Sequence, residues 1–207
     1  MDLNLKGKKA IVTGGSHGIG LAIKKALEAE GVKVISWSRE EGQDLMRALD
    51  LVDLSKLLEV DILINNIGGM GTCAREDADD CIFKNYRITQ LLTDFFLAKD
   101  RTWGRVITIS SFYGKEKGPN PYFVASKAAQ IGFMKSIAGK HDGITFNVIC
   151  PGCINTKPSI KEFAQKNKLS LGEPEDIANI VTFLCSNKAS HINGAIITCD
   201  GGDSHAF

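Results

Sequence analysis

The chain has 207 residues, the length of one domain of ordinary size, and its 43% hydrophobic content is enough for a core without a signature of disorder. Lys and Arg number 25 against 24 Asp and Glu, a formal net charge of +1, which argues against a nucleic-acid binder that relies on a broad basic field. Neither a signal-peptide core nor an apolar run of ~18 residues occurs, so the expectation is a cytoplasmic protein with no membrane partner.

Ala10-Ile11-Val12-Thr13 is a short apolar, β-prone run that ends in glycines. Ile19 to Glu30 then carries apolar residues at helical spacing, and Gly31 stops it. Val32 to Trp37 reads as a second strand, which completes a βαβ unit and favours a parallel sheet. Between Ser38 and Asp61 the chain has about half the residues that a crossover helix, a third strand and a further helix need. Two readings stay open there. Either Leu45 to Asp50 is a short strand with a helical stub at Leu54 to Glu59, or Met46 to Leu58 is one helix with Asp44 at its mouth.

Further on, Asp61 to Asn66 is a buried strand and Ile82 to Leu97 a long helix. Arg105 to Ser110, Thr145 to Cys150 and Gly194 to Cys199 are strands, and Phe123 to Ala138 is a helix. Glu175 to Ser186 is a helix entered through Pro174 and acidic residues. Strands alternating with helices predict a doubly wound parallel α/β sheet over residues 1–207, a Rossmann-type single domain. Its ligand site lies beyond the carboxyl ends of the strands.

The first chemistry is at Thr13-Gly14-Gly15-Ser16-His17-Gly18-Ile19-Gly20, between a strand and a helix. Glycines let the backbone turn sharply and approach a pyrophosphate, and the helix N-terminus offers amide donors and partial positive charge. Gly14, Ser16, His17, Gly18, Ile19 and Gly20 are therefore candidate dinucleotide contacts. The second strand ends in Ser38-Arg39 where an acidic residue would bond the ribose hydroxyls of NAD. A hydroxyl and a forked guanidinium suit a 2′-phosphate, so NADP(H) is favoured and NAD(H) possible. Cys150-Pro151-Gly152-Cys153 has the spacing of a redox or zinc pair, but a second pair is missing, and core thiols are the expectation.

The Thr-Gly-x-x-x-Gly-x-Gly spacing resembles the short-chain dehydrogenase/reductase family, and the likeness runs along nearly the whole chain. Asn65-Asn66-Ile67-Gly68-Gly69 is similar to the family's Asn-Asn-Ala-Gly turn, which places Asn66, Ile67 and Gly68 against the cofactor. Asn85 falls where the family keeps a catalytic-site asparagine, Ser110-Ser111 where the active serine ends its strand, and Lys127 matches the active lysine. Pro151-Gly152-Cys153-Ile154-Asn155-Thr156 is similar to the segment that closes over the nicotinamide, which adds Pro151, Gly152, Ile154 and Thr156. Asp50-Leu51 resembles an Asp-Val pair against the adenine, with Asp44-Leu45 as the alternate. The resemblance implies reversible reduction of a carbonyl on a small or sugar-derived substrate by a homodimer or homotetramer. In those roles Ser111 polarises the carbonyl, Lys127 orients the ribose and Asn85 holds a proton-relay water. Ser111 is preferred to Ser110 because it stands just before Tyr113-Gly114, and alternation lets one of the two face the site.

The pattern breaks at Phe123, where the family has its proton-donating tyrosine, four residues before the lysine. Residues four apart share a helix face, so Phe123 and Lys127 face the site together, while Tyr122 sits a further ~100° round. Three readings stay open: a different donor (Tyr113, Tyr122, or a water held by Ser111, Lys127 and Asn85), a catalytically silent NADP-binding module, or an engineered Tyr→Phe change. The segment from Lys157 to Lys168 has four lysines, which either favour an anionic substrate such as a nucleotide-sugar or mark a solvated amphipathic helix.

Overall fold

The computed structural model of the protein describes residues 2–42, 45, 52–70 and 78–206. Six parallel strands form one sheet: β1 (Lys9–Thr13), β2 (Lys33–Trp37), β3 (Ile62–Asn65), β4 (Gly104–Ile109), β5 (Ile144–Pro151) and β8 (Ile196–Cys199). Their order is β2-β1-β3-β4-β5-β8, so the chain leaves β1 to one side for β2 and returns to its other side for β3. The order reverses at β1, and a crevice opens there at the carboxyl edge.

Apolar side chains on both faces explain why this is a covered parallel sheet. Every residue of β3, β4 and β5 is buried, whereas the edge strands β2 and β8 are covered only in part. Alternation then divides the core. Val12, Ile64, Ile107 and Ile149 point to the face covered by α1 (Gly18–Ala29) and α6 (Pro174–Cys185), through Ile23, Leu27, Ile177 and Val181. Ile11, Leu63, Val106 and Val148 point to the other face, covered by α3 (Ile88–Leu97) and α4 (Pro121–Ile137) through Leu92, Phe96 and Met134. The doubly wound parallel sheet is thus present as expected.

Two elements differ from the sequence reading. The helix expected over Ile82 to Leu97 is three pieces: α2 (Ala78–Ile82), a π-helical segment (Phe83–Arg87) and α3. A π turn widens the spiral and releases main-chain carbonyls from their usual partners, and here it falls on Asn85. Apolar periodicity carries no mark of it. The second difference is a pair of two-residue strands, β6 (Cys153–Ile154) and β7 (Leu171–Gly172), which tie the two ends of the segment holding α5 (Pro158–Asn167).

In the shortened region, the stub read at Leu54 to Glu59 is a 3₁₀ turn, Leu54–Leu58, capped by Asp53, whose carboxylate accepts from Ser55 N at 3.1 Å. Asp53 is not helical (φ −72, ψ 85), so one helix from Met46 to Leu58 is not formed. The expected strand over Leu45 to Asp50, and with it Asp44, Asp50 and Leu51, lies outside the described residues apart from Leu45, which is fully buried against the second face. Among the described residues no helix is long and apolar enough to cross a membrane.

Candidate active site

A cavity of about 580 Å³ opens at the carboxyl edge of the sheet, between β1 and β3 and onward past β4 and β5. That volume lies in the range of small-molecule and cofactor sites, ~300–1,000 Å³. One end is made of backbone. Gly14, Ser16, His17, Gly18, Ile19 and Gly20 all line it, as does the amino end of α1. A Cβ on Gly20 would stand 2.1 Å from Gly14 O and 2.6 Å from Asn66 Nδ2, so only glycine lets the turn close on itself. The turn is also tied to the next strand. Thr13 Oγ1 accepts from Asn66 N (2.9 Å) and Ile67 N (3.0 Å), and Asn66 Nδ2 donates to Thr13 O at 2.9 Å. Asn66 thus braces the glycine turn as well as lining the cavity. Bare amides at a helix N-terminus fit a pyrophosphate.

Ser38 and Arg39 line the same end, Ser38 buried and Arg39 exposed, with His17 across the turn. Glu40 lines it too, a carboxylate that the sequence reading did not weigh. Pro151, Gly152, Ile154 and Thr156 close the cavity from the β5 side, and a Cβ on Gly18 would stand 3.0 Å from Thr156 Cγ2.

The other end is made of side chains. Ser111, Phe123 and Lys127 line it together, as the one-face argument predicts for the last two. Ser110 Oγ donates to Lys127 O at 3.0 Å, which uses its proton on the wall of α4. Ser111 Oγ accepts from Tyr113 N at 3.2 Å and keeps its own O–H to give. Tyr113 lines the cavity; Tyr122 does not, its backbone N–H being held by Asn120 Oδ1, which caps α4.

Asn85 is fully buried behind this end rather than on it. Its Oδ1 accepts from Gly69 N at 2.9 Å, and its Nδ2 donates to Gly69 O and Cys81 O, each at 3.0 Å. A Cβ on Gly68 would stand 2.4 Å from Asn85 Oδ1, so the turn after β3 is pressed onto this amide. The Asn85 carbonyl accepts from Thr89 Oγ1 at 3.0 Å and from Gln130 Nε2. Both lone pairs are then occupied, one of them by the side chain of Gln130.

Lys127 donates from Nζ to Ile109 O at 3.1 Å and to Gln130 Oε1 at 3.0 Å, with the ring of Phe123 5.7 Å away. Burial lowers its pKa from 10.5 to about 8, against an opposing pull from the Cys150 and Cys81 thiols. Burial likewise pushes the Cys150 thiol up to about 11 and raises Tyr113, which keeps both protonated near neutral pH. Cys81, Cys150, Cys153 and Cys185 are all buried.

Sequence reasoning missed Gln130 and the apolar rim. Ile160 and Phe163 of α5 line the cavity three residues apart, and Met70, 47% exposed, stands at its mouth. Helical spacing of Ile160 and Phe163 was the available signal for the rim. Gln130 had none, since nothing local marks a polar residue as buried.

Comparison with known proteins gives a concordant result. A family model described as Enoyl-(Acyl carrier protein) reductase matches residues 53–204. The chain is 34% identical to the 3-oxoacyl-(acyl-carrier-protein) reductase FabG of Escherichia coli K12 over 242 aligned positions, covering 97% of this chain and 98% of that protein. It is 32% identical to an acetoacetyl-CoA reductase of Shinella zoogloeoides, covering 93% and 97%. The alignments are longer than the chain, so the shortening lies inside the matched span. Among solved structures, a short-chain dehydrogenase of Burkholderia cenocepacia in complex with NADP superposes with a TM-score of 0.82 at 26% identity, covering 96% of this chain and 98% of that one. A dehydrogenase/reductase of Sinorhizobium meliloti gives 0.83 at 29% identity, covering 97% and 96%.

Proposed function

Because this chain belongs to the short-chain dehydrogenase/reductase family, we propose that it is an NADP(H)-dependent oxidoreductase acting on a carbonyl or hydroxyl of a small or sugar-derived substrate. The observation that carries the reading is one cavity with the glycine turn and Arg39 at one end and Ser111 and Lys127 at the other. The amides at the amino end of α1 would hold a dinucleotide's phosphates, and Ser111 would stand at the nicotinamide end. Bound NADP(H) supplies or accepts the hydride at the carbonyl carbon.

The chain's own residues do the rest. Arg39 and His17, which line that end, would hold the 2′-phosphate, with forked, charge-assisted bonds available from the guanidinium. Ser111 gives its free O–H to the carbonyl oxygen and polarises it. Lys127 brings positive charge to the oxygen on which negative charge develops, in a wall dry enough for that charge to act strongly. Phe123 keeps that wall apolar. The names of the NADP-complexed neighbour and of two relatives that reduce oxoacyl or acetoacetyl thioesters support this cofactor and reaction class.

The test is binding followed by turnover. Titration of NADPH and NADH by fluorescence should show binding of both and a preference for NADPH. NADPH oxidation against a panel of β-keto thioesters, simple ketones and keto-sugars should then find at least one substrate. A chain that binds neither dinucleotide would show that the reading of the glycine turn is wrong.

A further inference from the structure

Gln130 is fully buried on α4, one turn beyond Lys127, in a wall of apolar groups, short hydroxyls and the Asn85 amide. A buried amide is expensive unless its polar atoms are paired. Here its Nε2 donates to Asn85 O and, at 2.8 Å, to Thr89 Oγ1, and its Oε1 accepts from Lys127 Nζ. Neighbours fix which way round the amide sits. Turned over, it would set N–H groups against an ammonium and an oxygen against a carbonyl.

The network continues in both directions. Thr89 Oγ1 donates on to Asn85 O, and Thr93 Oγ1 to Thr89 O at 2.7 Å, on a helix opened by the π-helical segment. Lys127 gives a second N–H to Ile109 O. An ammonium has three donors. Two are held by the wall, and Lys127 still lines the cavity beside Phe123, which has no proton to give.

We propose that Gln130 is a positioning residue that holds Lys127 as the proton-carrying group of this site, in the place a phenol at position 123 would take. The proposal rests on the oxidoreductase reading above and deepens it. In the reductive direction the proton leaves Lys127 Nζ for the substrate oxygen, whose C=O π pair becomes the new O–H bond. The two electrons at carbon arrive as the hydride already named, and the neutral amine regains its proton from solvent. In the oxidative direction the neutral amine takes the hydroxyl proton.

The groups whose charge bears on Lys127 are few. Cys81 faces it from α2 and Cys150 from β5, with Lys115 acting on Cys150 from beyond. On its own helix the partner is the neutral amide. A carboxylate at position 130 would therefore be the nearest charge to the ammonium and would favour the protonated form. An apolar side chain there would remove an acceptor from the ammonium and disfavour it.

NMR of isotope-labelled lysine Cε in the full chain with NADPH bound tests this, the Lys127 signal being assigned by its loss in Lys127→Arg. The native chain should titrate below the usual lysine value of 10.5. Gln130→Glu should move the midpoint up by about one unit or more, and Gln130→Met should move it down. The basic limb of NADPH oxidation with acetoacetyl-CoA as the carbonyl probe should follow the midpoint in each variant. A midpoint that ignores both substitutions overturns the proposal, as does a limb that stays fixed while the midpoint moves. A merely structural Gln130 would alter melting without moving either readout. Should Gln130→Met fail to fold, the near-isosteric Gln130→Glu decides alone. NADPH affinity of the native sample keeps the two claims apart: its absence contradicts the oxidoreductase reading, whereas binding with an immobile Lys127 midpoint contradicts only the role of Gln130.

Discussion

The two ends of the cavity are built from different material. The nucleotide end is backbone: glycines, helix amides and a threonine hydroxyl that ties one turn to the next. The carbonyl end is side chains on three elements, joined by a buried network through Gln130. A backbone site admits almost no change, because each atom is fixed by the turn that bears it. A side-chain site can lose a member and have its role met by a residue elsewhere on the same helix, as we propose for Lys127 beside Phe123.

Substitutions can break that contrast, and the largest effect belongs to the backbone end. Gly20→Ala places a methyl 2.1 Å from Gly14 O, and something must move. NADPH affinity should fall more than ~100-fold, with a stability loss of ~1–3 kcal/mol. Fluorescence titration and thermal melting read both. A variant that binds within ~10-fold of the native chain would mean the turn can relax.

Arg39→Ala comes next, and it sharpens the comparison because its effect is on one ligand only. Loss of charge-assisted bonds to the 2′-phosphate should weaken NADPH by ~10–100-fold and leave NADH almost unchanged. Equal weakening of both would place Arg39 away from that phosphate.

Lys127 is the point at which the carbonyl end opposes stability. Its pKa is lower in the folded chain, about 8, than in the unfolded one at 10.5. Between those values the unfolded chain holds the extra proton, so stability rises with pH there, and the cost of burying the charge is complete below about 8. That cost is ~3 kcal/mol, against which Lys127→Met leaves Gln130 Oε1 and the Ile109 carbonyl unpaired at ~1 kcal/mol each. Lys127→Met should therefore be more stable near pH 7 by ~1 kcal/mol, with the gain lost roughly one pH unit above 8 and turned into a loss of ~2 kcal/mol by 10.5. Chemical denaturation across that range measures it; a gap that widens with pH would reverse the sign of the argument.

The smallest change expected is in the affinity of Phe123→Tyr for NADPH, within ~2-fold of native, since the ring keeps its place. Turnover is the informative part. A phenol acting as general acid typically gives ~10²–10⁴ in rate. With Lys127 already carrying the proton the gain should stay under ~10², and a gain near 10⁴ would return the role to the missing phenol.

How legible this was in the sequence follows the same division. Strands with apolar residues on both faces, and glycines whose spacing is dictated by a turn, leave marks in linear order. β1, β3, β4 and β5 and the cavity-lining turn from Gly14 to Gly20 could therefore be placed from the linear order. Lys127, Phe123 and Ser111 came from the likeness to the family; helix geometry added that Phe123 and Lys127 share a face, and the place before Tyr113-Gly114 chose Ser111 over Ser110. Gln130 and the π-helical segment at Asn85 were not, because their partners lie 45 residues apart and neither has a local signature. The strands β6 and β7 were too short to show a period.

The account stands most directly on a parallel titration of NADPH and NADH against the native chain by fluorescence. It predicts that both bind and that NADPH binds at least ~10-fold tighter, through Arg39 and the amides of α1. Binding of neither, or a preference for NADH, would contradict it.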